Sequence, residues 1–361
     1  MSRRCVMIMA GGTGGHVFPG LAVARRLEAA DQRIVWLGTR QGLESRVVTD
    51  AGIGMEWISV SGLRGKGWST WMLAPLRLLK ALWQSISAIK RQRPAVVLGM
   101  GGFVSGPGGL AAWLLRRPLL IHEQNAVAGL TNRVLSRIAT EVYEAFPSSF
   151  PASVDATTIG NPVRPEIVML DPPEQRLAGR TGPIRILVLG GSQGALALNR
   201  LLPEALARLA DRCRFEILHQ AGERTMDIAH AAYQQAGVDA RVVSFIDDMA
   251  SAYAWADVAV CRSGAITVGE LAAAGVASVL VPFPAAVDDH QTANARYLSD
   301  AGAALLLREA ELDARSLAAA IEPLLSDRAR LLEMAVAARA LAQPDALPRL
   351  SDACLVPRGC G

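Results

Sequence analysis

Short apolar runs recur along this chain, each followed by a stretch whose apolar positions fall three and four residues apart. In the first half they cover 6–10, 33–37, 95–98, 118–121 and 157–159; in the second, 185–189, 214–218, 240–244, 257–260 and 277–281. Near-continuous apolar strands alternating with helices predict parallel sheets covered on both faces. The alternation restarts after Gly160-Asn161-Pro162-Val163-Arg164-Pro165, whose prolines disfavour a helix. The expected organisation is a first domain over 1–164 and a second over 165–340. A terminal helix or tail over 341–361 is expected to pack back across the domains.

Glycine-rich turns punctuate this pattern. Gly11-Gly12-Thr13-Gly14-Gly15-His16 follows the first run, Gly190-Gly191-Ser192-Gln193-Gly194-Ala195 follows a run in the second half, and another glycine-rich stretch spans 99–109. A strand, a glycine turn and a helix together offer backbone N–H groups to a phosphate or another anion. Their presence in both halves predicts two nucleotide-binding-type α/β domains facing one cleft. Fold alone names no reaction.

At 361 residues, 51% hydrophobic and 19% charged, the chain has material for two cores and is unlike a disordered segment. No apolar run approaches the roughly 18 residues needed to span a bilayer. Met1-Ser2-Arg3-Arg4 precedes an apolar stretch that stops at Gly11, which reads as a buried first strand rather than a signal peptide. A cytoplasmic protein is expected. Cys5, Cys213, Cys261, Cys354 and Cys360 are scattered, with no Cys-x-x-Cys pair, so neither a disulfide framework nor a metal site is indicated. The stretch 355–359 resembles a protease-cleavage tag, and no function is read from it.

Charge separates the halves. Residues 1–164 carry 19 Lys and Arg against 9 Asp and Glu, a net of +10; residues 165–361 carry 18 against 24, a net of −6, giving the chain's +4. The first half is therefore suited to an anionic partner. Nucleic acid is disfavoured, since aromatic residues are only 5% and no basic stretch is interleaved with stacking side chains. In 68–93, Met72, Leu76, Leu79, Trp83 and Ile86 recur at helical spacing among Arg77, Lys80, Lys90, Arg91 and Arg93. Two readings stand. The stripe packs on the sheet, or it lies in a membrane interface with the cations over anionic headgroups. Trp113, Arg116 and Arg117 extend the same patch.

The glycine turns fit neither common nucleotide fingerprint. From Gly12 the third glycine of Gly-x-Gly-x-x-Gly falls on Val17, and Trp36-Leu37-Gly38-Thr39 lacks an acidic ribose reader. The only Gly-Lys pair, Gly65-Lys66, is followed by Gly67, so a Walker loop is absent. A nucleotide-sugar suits the remaining polar residues better. Cys261-Arg262-Ser263-Gly264-Ala265-Ile266-Thr267-Val268-Gly269-Glu270 follows a strand, and its turn can offer N–H groups to phosphate. Glu270, taken to sit at the helix start, either reads a ribose diol or caps its own helix. Asp288-Asp289-His290-Gln291-Thr292-Ala293-Asn294 supplies either hydroxyl readers or a polar helix start.

Together these stretches resemble the MurG family, the undecaprenyl-diphospho-muramoylpentapeptide β-N-acetylglucosaminyltransferases of peptidoglycan synthesis. The resemblance rests on 11–20, 61–67, 99–109, His122-Glu123-Gln124-Asn125 with Ala128-Gly129-Leu130-Thr131-Asn132, 160–164, 190–195, Phe245-Ile246-Asp247-Asp248-Met249 and 261–270. It covers nearly the whole chain. It implies a GT-B fold of two Rossmann-like domains around a cleft, with the lipid-linked acceptor on the first and UDP-GlcNAc on the second. It also implies a place at the cytoplasmic face of the inner membrane and contact with cell-wall and division machinery. By the resemblance, the backbone of Ile246 pairs with uracil and Glu270 holds the ribose. Ser192 and Ala265, Ile266, Thr267, Val268 and Gly269 meet the diphosphate with Arg164 nearby. Gln291 reads the GlcNAc hydroxyls, while Thr13, Gly14, Gly15 and Asn125 close the site. Phe103, Gly269 and His290 depart from residues frequent in the family at those places.

The implied reaction is inverting transfer of GlcNAc to the muramoyl 4-hydroxyl, which needs a base for that hydroxyl and donors for the departing diphosphate. Because the unperturbed imidazole of a histidine titrates near 6.5 and so suits proton transfer near neutrality, His16 is the favoured base, or else it hydrogen-bonds phosphate or acceptor. Glu123 is the second candidate, or else a buried structural carboxylate. No cofactor and no metal are expected, as Asp-x-Asp is absent. The competing readings are a UDP-GlcNAc 2-epimerase of the same fold and a non-catalytic, membrane-bound UDP-GlcNAc sensor.

Overall fold

The computed structural model describes residues 3–60, 74–191, 194–286 and 289–357. The chain forms two compact units. The first runs to Val163 and is rejoined from Asp345 onward; the second is Arg164–Pro344.

Among the described residues the first unit has seven strands: β1 (Cys5–Met9), β2 (Arg33–Gly38), β3 (Gly54–Trp57), β4 (Val96–Gly99), β5 (Leu119–Glu123), β6 (Glu141–Glu144) and β7 (Ala156–Thr158). Their order is β3-β2-β1-β4-β5-β6-β7, all parallel. Alternation along β1 places Val6 and Ile8 on one face, with Val23 and Leu27 of helix Gly14–Ala29 and Leu347 and Leu350 of helix Ala346–Leu355. Met7 and Met9 face the other way, toward Ala88 and Ile89 of helix Ala74–Gln92 and Ala111 and Ala112 of helix Ser105–Leu114. Both faces are covered, so the central strands are apolar throughout. Each fully buried side chain of this size contributes about 1.5–3 kcal/mol.

The second unit repeats the plan with β8 (Ile184–Leu189), β9 (Phe215–Gln220), β10 (Arg241–Val243), β11 (Val258–Cys261), β12 (Ala277–Leu280) and β13 (Ala304–Leu306), ordered β10-β9-β8-β11-β12-β13 and parallel. Ile186 and Val188 pack with Leu198 and Leu202 of helix Leu196–Ala207 and with Leu317 and Ile321 of helix Ala314–Ser326.

In each unit the winding direction reverses beside the first strand, between β1 and β4 and between β8 and β11. Such a reversal parts the following loops and opens a crevice at the strands' carboxyl ends, where ligands of open α/β sheets bind. Register brings those ends level: Met9 pairs with Gly99, and Cys261 with Leu189. The glycine turns sit there. Gly102, at φ +78°, approaches so closely that a Cβ would fall 2.3 Å from the Gly11 carbonyl oxygen. Only glycine fits.

Candidate active site

In the first unit, the turn after β1 is shorter than its sequence suggests. Helix Gly14–Ala29 begins inside it, with Thr13 at the N-cap, so Gly14, Gly15 and His16 form the first helical turn. The amide of Gly12 is committed, donating at 3.2 Å to Glu44 Oε2; Glu44 is fully buried and also accepts from the Thr39 amide and hydroxyl. Thr13 and Gly15 are exposed, and His16 is half-buried. Its Nδ1 lies 2.7 Å from Gln124 Oε1.

Glu123 ends β5 and is 2% exposed. Oε1 accepts from the amide and side-chain nitrogen of Asn125, at 3.0 and 3.2 Å; Oε2 accepts from the Gly129 amide and Asn132 Nδ2, at 3.1 and 2.9 Å. Four N–H donors thus converge on one buried carboxylate. That arrangement fixes the loop bearing Asn125 and leaves the carboxylate little capacity for a substrate proton.

In the second unit, Ala265–Gly269 is the N-terminal half of helix Ala265–Ala274, capped by Gly264, not an open turn. The Val268 amide already donates to the Gly264 carbonyl. Glu270 is the sixth residue of this helix rather than its start, and it makes no cap. It is buried, with Oε1 3.0 Å from Arg164 Nη2 and Oε2 accepting from the Tyr253 hydroxyl at 3.1 Å. Burial raises its carboxyl above the ordinary range, against the opposing pull of Arg164 and the Tyr253 hydrogen bond.

Ile246 is half-buried on the loop after β10. Asp248 ends that loop and caps helix Met249–Trp255 by accepting from the Ser251 amide at 2.9 Å. Gln291 lies in the first turn of helix His290–Ser299; its Oε1 accepts from the Phe283 amide and its carbonyl from the Ser263 hydroxyl. Asn294 Nδ2 donates to the Ser263 carbonyl, tying the loop after β11 to the same helix. Ser192 lies outside the described residues. Sequence reasoning missed Glu44, Gln124 and Tyr253. Gln124 sits within a stretch that carried the resemblance, whereas no local pattern marks Tyr253 as a partner of Glu270.

Residues 6–144 match the glycosyltransferase family 28 N-terminal domain, and 185–350 the glycosyltransferase family 28 C-terminal domain. Over 350 residues, 97% of this chain and 98% of the relative, the sequence is 57% identical to the UDP-N-acetylglucosamine--N-acetylmuramyl-(pentapeptide) pyrophosphoryl-undecaprenol N-acetylglucosamine transferase of Nitrosococcus oceani. The chain belongs to the MurG family of glycosyltransferases. The enzyme of the same description from Marinobacter nauticus is 53% identical, covering 98% of this chain and 97% of its own. The crystal structure of Acinetobacter baumannii MurG matches with a TM-score of 0.85 at 44% identity, over 98% of this chain and 99% of that one. More distant likenesses show the GT-B fold alone: the calicheamicin glycosyltransferase at 18% identity, TM-score 0.67, and a candidate UDP-N-acetylglucosamine 2-epimerase from Listeria monocytogenes at 15%, TM-score 0.64. The fold and family expected from the sequence are borne out.

Proposed function

We propose that this MurG-family enzyme transfers GlcNAc from UDP-GlcNAc to the 4-hydroxyl of MurNAc in undecaprenyl-diphospho-MurNAc-pentapeptide, giving a β linkage and UDP. The observation that carries this reading is the 57% identity to the N. oceani transferase along nearly the full length of both chains.

His16 is the base in this reading. Its half-buried ring stands in the first helical turn after β1, beside glycine amides suited to an anionic acceptor. The second unit holds the donor: the Ile246 backbone takes uracil, Glu270 the ribose and Gln291 the sugar hydroxyls. Charge building on the leaving diphosphate meets Ser192, Arg164 and the amide end of helix Ala265–Ala274. With Val268 and Gly269 deeper in the helix, Ile266 and Thr267 are the better-placed amides after Ala265. Thr13, Gly14, Gly15 and Asn125 serve the acceptor side. Glu123 acts through Asn125, holding it in place, rather than as a base.

The acceptor's lipid requires a membrane surface, and residues 68–93 and 113–117 are its proposed contact. Leu76, Leu79 and Trp83 are 65%, 62% and 69% exposed, on the side of helix Ala74–Gln92 away from its buried residues Ala81, Ser85 and Ala88. Trp113 and Leu114, on the neighbouring helix, are also exposed. Exposed apolar side chains beside Arg77, Lys80, Lys90, Arg116 and Arg117 suit anionic headgroups. Arg91 is not among these cations, because it pairs with Glu56. Among the described residues no helix is long and apolar enough to cross a membrane.

Product analysis with and without acceptor tests the reading. Label passing from UDP-GlcNAc to lipid-linked muramoyl-pentapeptide supports it; UDP-ManNAc from donor alone would replace it with epimerisation.

A further inference from the structure

Three side chains form a file behind the first glycine turn. His16 Nδ1 lies 2.7 Å from Gln124 Oε1, Gln124 Nε2 lies 2.9 Å from His122 Nδ1, and His122 Nε2 lies 2.9 Å from the Gly160 carbonyl oxygen. His122 and Gln124 are 0% and 1% exposed, so no solvent competes for these contacts.

The file has one consistent direction, and two backbone carbonyls set it. A carbonyl oxygen only accepts, so His122 Nε2 must carry hydrogen toward Gly160. Burial lowers the His122 pKa to about 4, so at neutral pH this ring has a single N–H and its Nδ1 is an acceptor. Gln124 must therefore offer its NH2 group there. The second carbonyl agrees: Gln124 Nε2 also lies 3.1 Å from the His122 carbonyl oxygen, which cannot face an amide oxygen. Gln124 Oε1 is then the atom turned to His16. It accepts, so His16 Nδ1 carries the hydrogen.

We propose that Gln124 and His122 are positioning residues that hold neutral His16 as its Nδ1–H tautomer, leaving the lone pair on Nε2 to take the acceptor's proton; this rests on His16 being the base. The hydrogen bond made by one ring nitrogen decides the protonation of the other. An unconstrained histidine in water favours hydrogen on Nε2, the form in which that atom cannot act as a base. The relay selects the opposite form without placing a second charge beside the ring, since its last member is an amide and not a carboxylate.

Gly101 belongs to the same device. At φ +94°, a Cβ there would stand 3.0 Å from His16 Cε1 and Nδ1 and 3.5 Å from Gln124 Oε1. The glycine-rich stretch after β4 thus leaves the imidazole room to seat against Gln124. Ser105 fixes this turn with one hydroxyl hydrogen shared between two acceptors, its Oγ 2.8 Å from the Gly101 carbonyl oxygen and 3.1 Å from that of Met9. Among the described residues, titratable groups on the adjoining elements include His122 and Glu123 at the end of β5 and Glu44, which accepts from the Gly12 amide.

The test is a two-bond 1H–15N spectrum of the full-length protein with labelled histidine, at about pH 8.5, two units above an ordinary imidazole pKa. The sequence has five histidines, and a His16→Gln variant assigns the His16 signals by their loss. The expected spectrum shows His16 protonated on Nδ1; protonation on Nε2 overturns the proposal. This reading needs no substrate to turn over. Gln124→Met removes the acceptor at similar size. It is expected to move His16 toward Nε2–H and to lower kcat roughly 10²-fold, with KM for UDP-GlcNAc within about twofold of native. An unchanged tautomer and kcat in a folded Gln124→Met protein overturns it equally. If the native protein makes no glycosidic product while His16 is Nδ1–H, the transferase reading fails and the relay stands.

Discussion

Arg164 and Glu270 form an ion pair at 3.0 Å, the carboxylate side chain 10% exposed and the guanidinium 47%. The carboxylate proposed to hold the ribose thus has a cationic partner within its own unit. Its second oxygen is held by Tyr253, whose ring is wholly buried.

A first prediction concerns Glu270→Gln. Burial holds this carboxyl above its ordinary range, so the folded protein binds the proton more readily than the unfolded chain. That contribution favours folding below the ordinary carboxyl pKa and weakens as pH rises through the raised value. Removing the charge should leave the melting temperature at neutral pH unchanged or higher, while UDP-GlcNAc affinity falls about tenfold or more, ~1.4 kcal/mol. Calorimetric titration and thermal melts check both. A lower melting temperature with native affinity would reject the ribose assignment.

Glu123 and His16 should separate by stability. Glu123→Ala strips four N–H groups of their shared acceptor and should cost on the order of 3 kcal/mol in urea unfolding. His16→Ala should leave stability within about 0.5 kcal/mol and abolish most of kcat. A Glu123→Ala protein of native stability but no activity would restore that carboxylate as the base.

Acid should weaken the second unit through His219. Its Nδ1 accepts from the Tyr233 hydroxyl and its Nε2 donates to Asn199 Oδ1, each at 3.0 Å, and burial lowers its pKa to about 4. The unfolded chain takes up the proton near 6.5, so this stability is present above that pH and lost as pH falls toward 4. The full effect is on the order of 3 kcal/mol. Urea unfolding of native and His219→Gln proteins between pH 7.5 and 5 should show a shallower decline in the variant; parallel declines would refute it.

The membrane contact predicts a selective defect. Leu79→Glu with Trp83→Glu, or Arg77→Glu with Lys80→Glu, should reduce binding to vesicles containing anionic phospholipid by about tenfold. Turnover of a water-soluble, short-chain acceptor should stay within about twofold. Native vesicle binding by both double variants would remove helix Ala74–Gln92 as the contact.

What the sequence revealed follows from where burial is complete. β1, β8 and β11 lie between covered faces and read as apolar runs, and their glycine turns mark the carboxyl ends. β6 escaped because Glu141 and Glu144 bound it, and Glu144 is satisfied by the Ser148 and Ser149 amides and the Thr158 hydroxyl. In β3, Glu56 is buried against Arg91 and Gln92, and β13 is a three-residue edge. The site divides the same way. His16 is conspicuous beside its glycines, but its tautomer is set by Gly160, far along the chain. The apolar stripe at 76, 79 and 83 was visible as periodicity; only the packing of Ala81, Ser85 and Ala88 shows that it faces outward.

The measurement that bears most directly on the account is single-turnover transfer from radiolabelled UDP-GlcNAc to a short-chain lipid-linked MurNAc-pentapeptide, with the new linkage read by NMR. The account predicts stoichiometric UDP and a β-configured GlcNAc on the muramoyl 4-hydroxyl. An α linkage, or a donor that binds and is never transferred, would contradict it.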